Sequence, residues 1–312
     1  MGGGLVPAML ALALASAYNF TYSLVILQSK IKIAVKLAYD RYLVKEILII
    51  SWPFAVYAIF QRLYMYLDSV FLSVLAGDVQ VGLYQIAFKI IFALQFLPMA
   101  FTASLYPALS SYWHNNKDQL LISFERALNY LIIISLPIIV GAIVLVDKII
   151  LLFKTGYDGA LLPLQISIIS LFFIFINFPI GSLLNACDKQ RKNTLNMGIV
   201  MVSSIVLNLI LIPYFKATGA SITVLLTNAL MTVLGFIWVK KIIPYHFTKN
   251  IKIFFKVLLS SLVMGVVVFF GKAYLNVFLV TLIGGFIYFS FLLILGGFKK
   301  ADLLSVVKSF KR

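Results

Sequence analysis

Of the 312 residues, 62% are hydrophobic and only 12% are charged, where a soluble domain carries about 25% charged residues, so a chain surrounded by water is excluded. The net charge of +16 would suit nucleic acid, but the basic residues fall in short stretches between long apolar runs rather than on one exposed face, which excludes a DNA-binding surface. A single cysteine, Cys187, excludes an internal disulfide and a thiolate metal cluster, and its place at a helix end reads as an inert free thiol.

Nine apolar segments are long enough to cross a bilayer: 5–27, 47–75, 82–112, 126–153, 160–186, 193–213, 218–240, 252–271 and 274–297. The first contains Ala15-Ser16-Ala17, a pattern that signal peptidase could use. No Lys or Arg precedes it, however, and the apolar run continues through Leu27, so a spanning helix is the better reading. Lys30 to Lys45 alternates basic and apolar residues, as a segment lying on the membrane surface would. Segment 82–112 would be about 46 Å long at ~1.5 Å per residue, too long to cross straight. Pro98 and Pro107 are expected to kink it.

Assigning alternate connections to one side of the membrane puts 20 of the 26 Lys and Arg residues there, against Lys148, Lys154, Lys216 and Lys272 on the other. The basic side is cytoplasmic by the positive-inside rule, which places the N-terminus outside and the C-terminus inside. All three tryptophans, Trp52, Trp113 and Trp238, fall at the cytoplasmic ends of the predicted helices, as interface anchors do.

Three charges interrupt the second and third segments: Arg62, Asp68 and Lys89. A charge in hydrocarbon costs several kcal/mol and marks a functional position by default. If the turn is centred between Asp78 and Val79, Asp68 and Lys89 lie at one depth and are expected to pair, as a structural lock or as a breakable, cation-coupled gate. Arg62, about 120° from Asp68 around the helix, is then left for a substrate, or for Gln95, which the same counting puts at its depth. Gln61, Tyr64 and Asp68 share one polar face. Asn177, Asn208 and Thr227-Asn228 read as interhelical hydrogen-bonding residues.

In chain order the sequence carries Asp68, then Val81-Gly82-Leu83-Tyr84 with Lys89, Leu105-Tyr106-Pro107-Ala108-Leu109-Ser110, Gly156-Tyr157, Leu184-Asn185-Ala186 with Lys189-Gln190, Leu207 to Pro213, and Gly219-Ala220-Ser221-Ile222. Over residues 47–240 this series resembles the C-terminal half of polysaccharide (O-antigen-type) flippases of the multidrug/oligosaccharidyl-lipid/polysaccharide exporter superfamily. The resemblance implies an all-α polytopic membrane protein with one MATE-like six-helix lobe at 47–240. Residues 1–46 would then be the last helix of an N-terminal lobe, otherwise largely missing, with a basic linker, and 241–312 two extra helices with a basic tail.

The implied function is export of a lipid-linked oligosaccharide through the plasma membrane by alternating access. Arg62 and Lys89, with Gln61 and Gln95, are the candidate substrate contacts, and a separate N-terminal lobe or a second copy is the candidate partner. Rival readings are a drug or organic-cation antiporter and a peptidoglycan lipid-precursor flippase. From other classes come a non-transporting assembly subunit and an intramembrane glycosyltransferase, for which Asp147 and Asp158 would be the carboxylates. Neither a metal-ligand cluster nor a phosphate-binding Gly-rich loop is present in the sequence, so no cofactor, metal site or enzymatic activity is expected.

Overall fold

The computed structural model describes residues 5–29, 40–151, 153, 156–245 and 247–297. Most of the basic stretch read at 30–45, and the tail at 299–312, lie outside these residues; Arg41 to Lys45 form the start of a helix. The chain divides into two compact units, Met1–Ser51 and Trp52–Arg312. The first contains α1 (Leu5–Ser29), a 25-residue apolar helix, and the opening turns of α2 (Arg41–Ala76).

In the second unit α2 runs on to Ala76, and the single residue Gly77 turns the chain into α3 (Asp78–Leu94). Gly77 sits at φ +86°, a conformation that costs glycine little and other residues more. Near the expected kink at Pro98 the helix loses its regular bonding at Gln95, whose own backbone stays helical at φ −65° and ψ −17°, and α4 (Phe96–Asn115) begins there. A proline ring crowds the carbonyl four residues earlier and offers it no N–H. The helix therefore yields beside Leu94 rather than at Pro98 itself.

α5 (Lys117–Val144) starts well before the expected residue 126, because the Asn116 side chain accepts a hydrogen bond from the Gln119 backbone N–H at 3.0 Å and caps the helix. Its added turns bury Leu120 and Phe124 completely. A short α6 (Val146–Leu151) follows.

α7 (Leu161–Ala186) is the axis of the unit. Ile168, Leu171 and Phe175 pack into one cluster with α3 and α5, and Ile180, Leu183 and Leu184 into another with α4, α5 and the end of α8. α8 (Gln190–Ile242) is two helices joined at Lys216, whose φ of 51° and ψ of −129° are not helical. We call them α8a (190–215) and α8b (217–242). They run side by side in opposite directions, since the Trp238 indole N–H reaches the Asn196 side chain. Gly219 is required at the turn, because a Cβ there would stand 2.5 Å from the Leu211 carbonyl oxygen. The conformation of Lys216 is one that glycine adopts freely. Lys216→Gly is therefore expected to raise stability by about 1 kcal/mol, read as a higher thermal midpoint in detergent; an unchanged midpoint would show that the turn stores no strain.

α9 (Phe247–Gly271) and α10 (Val277–Ile294) pack on α5, where the Tyr288 hydroxyl donates to the Ile133 carbonyl at 2.7 Å. At their connection Lys272 donates to both Asp147 carboxylate oxygens, at 3.1 and 3.0 Å, and to the Val144 carbonyl. Partial burial pushes the Asp147 carboxyl upward, and the hydrogen bond and charge of Lys272 outweigh it, holding it below the ordinary range. The tie is present at neutral pH and is lost on acidification through that lowered value.

Eight stretches among the described residues are long and apolar enough to cross a bilayer. One of them is the whole of α8, which divides at Lys216, so all nine predicted segments are present as helices. The protein is an all-α, multi-pass membrane protein.

Candidate functional site

The two faces of α2 have different chemistry. Pro53, Tyr57, Phe60, Tyr64, Asp68 and Leu72 recur every three or four residues and so share one face. That face lies against α8. Thr194 donates to the Pro53 carbonyl at 2.7 Å, the Phe60 ring lies where a Cβ on Gly198 would come within 3.0 Å, and the Tyr64 hydroxyl pairs with Thr227 at 2.8 Å. Asn228 also donates to Tyr64, and its own carbonyl accepts from Asn177, whose side-chain oxygen accepts from Thr232. Asn177, Asn228 and Thr227 thus bond between helices.

One turn beyond Tyr64, the Asp68 carboxylate is 3% exposed. Tyr84 donates to one of its oxygens and Asn208 to the other, each at 2.7 Å, and Asn208 also donates to Ser204. Both partners of the carboxylate are neutral. A carboxylate this deep in an apolar lobe is costly unless a proton or a small cation neutralises it. The Asp68 and Asn208 side-chain oxygens are hard donors that suit a monovalent cation as well as a proton.

The expected Asp68–Lys89 pair is not formed. The salt bridge among the described residues joins Lys272 to Asp147, while Lys89 is exposed. The reason is register. Because Gly77 alone makes the turn, the hydrogen bonds Tyr84–Asp68, Gln85–Ser69 and Ser73–Asp78 centre the hairpin near Ala76, not between Asp78 and Val79. Lys89 then lies at the depth of Tyr64 and Arg62, and about 140° around α3 from Tyr84. A double-mutant cycle of Lys89→Ala with Asp68→Asn is expected to show coupling below about 0.5 kcal/mol in detergent stability; a larger value would restore the pair.

Arg62 stands on the far side of α2, among Ile59, Leu63, Tyr66 and Val70, which are 49–56% exposed. No hydrogen bond or ion pair joins Arg62 or Gln61 to another described residue, and both are exposed. Gln95 sits half-buried at the α3–α4 break, which the register sets near the depth of Tyr57, so it does not meet Arg62. The structure therefore brings Arg62 and Lys89 to one depth, leaves Gln95 about two turns away, and assigns Asp68 to the lobe interior. Asp147 is held by Lys272, and Asp158 opens a one-turn 3-10 helix. Burial, helped by Asp188, pushes the Cys187 thiol up to about 12, which keeps it unreactive.

Tyr84 and Asn208 are the site residues that sequence reasoning did not single out as partners of Asp68. The one signal was Asn208 alone among apolar neighbours in Leu207 to Pro213.

The chain is similar to known proteins in sequence and in fold. Residues 5–156 match the model of a family of polysaccharide biosynthesis proteins. A probable flippase, AglR, of Haloferax volcanii is 26% identical over 178 residues, covering 55% of this chain and 37% of its own. A putative O-antigen transporter of Escherichia coli is 29% identical over 179 residues, covering 55% and 42%. Among solved structures, the lipid II flippase MurJ in an inward closed conformation superposes with a TM-score of 0.66 at 21% identity, over 89% of this chain and 59% of that one. An outward-facing multidrug resistance MATE family transporter of the MOP superfamily gives 0.65 at 16% identity, over 78% and 57%. The chain thus spans roughly two fifths to three fifths of the length of these proteins. Its pattern of helices and its matches agree: the chain is a multi-pass membrane protein, similar over residues 5–156 to a family of polysaccharide biosynthesis proteins and similar in fold to the flippase and transporter structures above.

Proposed function

We propose that the chain forms one lobe of a flippase that exports a lipid-linked oligosaccharide for cell-surface polysaccharide. The observation that carries this reading is the sidedness of α2 and α3. Two cations, Arg62 and Lys89, stand at one depth and away from the lobe, while the Asp68 carboxylate is turned into it. A wall with this polarity suits the diphosphate of a lipid-linked sugar, whose charge needs basic groups to offset its loss of water. It does not suit an organic cation, which would want the carboxylate on the exposed side.

The cavity lies between this lobe and a second one, supplied by a separate N-terminal lobe or by a second copy, and the two rock to give alternating access. Asp68 is the energy-coupling group: its neutralisation by a proton or a monovalent cation changes how α2, α3 and α8a are held together. The N-terminus lies outside and the C-terminus in the cytoplasm, and residues 47–240 are the six-helix lobe.

The test is complementation. This chain is expressed in a strain lacking its polysaccharide flippase, with and without a supplied N-terminal lobe, and surface glycan is measured. Restoration in either arm supports the reading, and restoration only with the added lobe establishes a two-piece transporter. A peptidoglycan lipid precursor is also a lipid diphosphate, so a strain lacking that flippase is the parallel arm. Rescue there and not in the first strain would replace the substrate while keeping the transport mechanism; rescue in neither would overturn the transport reading.

A further inference from the structure

Five buried side-chain polar atoms among the described residues have no hydrogen-bond partner, and four of them belong to α8a: Gln190 Oε1, Asn193 Oδ1, Asn196 Nδ2 and Asn208 Oδ1. At ~100° per residue these four positions fall within about 120° of arc, so they lie along one side of the helix. Ser204, fully buried, lies on the same arc. Asn193, Asn196 and Asn208 are 2%, 1% and 0% exposed, which places the strip inside the lobe.

Two of the unpaired atoms are fixed by the bonds the same side chains already make. Asn208 donates to the Asp68 carboxylate, which can only accept, so its oxygen is left over; turning the amide would set that oxygen against the carboxylate. Asn196 accepts from the Trp238 N–H, which can only donate, so its NH2 group is left over. Asn193 donates to Asn185, leaving its oxygen. Three acceptors and one donor, on side chains held by neighbours, are what a short file of internal water requires, since such water makes two to four bonds to otherwise unpaired groups. Purely apolar packing would leave each of these groups uncompensated.

The strip has a direction. Asn193 and Asn208 are separated by roughly 22 Å at ~1.5 Å per residue. At one end stands Gln190, at the start of α8 beside the exposed Arg191 and Lys192; at the other stands Asp68. Tyr64, Asn228, Thr232 and Asn177 form a further hydrogen-bonded polar set across α2, α8b and α7. Gly181 borders the Asn193 amide, where a Cβ would approach its nitrogen to 3.7 Å.

We propose that this side of α8a is a hydrated strip that carries water, and with it the proton or monovalent cation that neutralises Asp68, between the Gln190 end of the lobe and its centre. The role given to the cation rests on the transport reading above; the presence of water does not.

The native chain contains a matched pair for the test. Met197 borders the strip, Met264 lies in the apolar cluster of α5, α9 and α10, and both are 5% exposed. In radiolytic hydroxyl-radical footprinting of the wild-type chain in lipid, Met197 is expected to oxidise at least five times faster than Met264; equal rates would overturn the proposal. A second measurement uses the lone Cys187. In a Cys187→Ser background, Asn193→Cys and Ser204→Cys are expected to react with a trimethylammonium methanethiosulfonate at least ten times faster than Val268→Cys, which is 2% exposed in the apolar cluster of α5, α9 and α10. Equal reaction at all three positions would count against the strip whatever the first result. Loss of rescue in the glycan assay with Met197 still labelled would remove the transport reading and leave the hydrated strip standing.

Discussion

Asp68→Asn is expected to abolish glycan export, by at least tenfold, while the lobe stays folded. Asparagine is nearly the same shape. Its oxygen can still accept from the Tyr84 hydroxyl, and a turned Asn208 amide can accept from its NH2 group, so both of the 2.7 Å contacts have replacements. Stability should change by no more than about 1 kcal/mol, the scale of one neutral hydrogen bond. What is lost is the charge, and with it the group that a proton or cation can neutralise during the cycle. Asp68→Ala differs in kind. It strands the Tyr84 hydroxyl and the Asn208 amide inside the lobe, at about 1–3 kcal/mol for each unpaired group, and should lower the thermal midpoint markedly. Thermal unfolding in detergent, measured beside surface glycan in the complemented strain, separates the two. Export retained by Asp68→Asn would make Asp68 a structural residue and end its assignment as the coupling group.

Arg62→Ala is expected to reduce export at least as strongly, with protein level and thermal midpoint unchanged. The guanidinium bonds to no other described residue and stands among exposed apolar side chains, so its removal breaks nothing in the lobe and falls within the roughly ±0.5 kcal/mol of an ordinary surface change. Its cost must then be offset by something outside the lobe, and a lipid diphosphate meets that need. Arg62→Lys keeps the charge but loses the paired geometry with which a guanidinium binds phosphate, and an intermediate loss is expected. Lys89→Ala, at the same depth, should weaken export less, because an ammonium acts as a point charge. Export unchanged by Arg62→Ala would remove it from the substrate wall. A falling midpoint would instead reveal a bond within the protein.

The way these residues divide between two faces shows what could and could not be read in advance. Apolar length alone gave the nine spanning segments, and alternation at three to four residues was already written into Pro53, Tyr57, Phe60, Tyr64, Asp68 and Leu72. Lys216, at the turn inside α8, lay in the predicted gap between 213 and 218, because the neighbouring Pro213 and Gly219 are local signals. The early start of α5 was legible too, in Asn116 as a helix cap, although the basic residues after it suggested a loop.

The partner of Asp68 was of another kind. Whether it met Lys89 or Tyr84 depended on where a hairpin turns, and one residue more or fewer in a turn slides the facing helix by ~1.5 Å and rotates it by ~100°. Asn208 is 140 positions away along the chain and could be set beside Asp68 only by the packing of α2 on α8a. The sequence by itself therefore determined that the chain crosses a membrane more than once and that Arg62, Asp68 and Lys89 need partners, since the cost of burying apolar length and isolated charge is a property of the residues. Which charge faces inward and which outward was decided by the tertiary structure, because pairing across helices depends on register and rotation that emerge only when the faces pack.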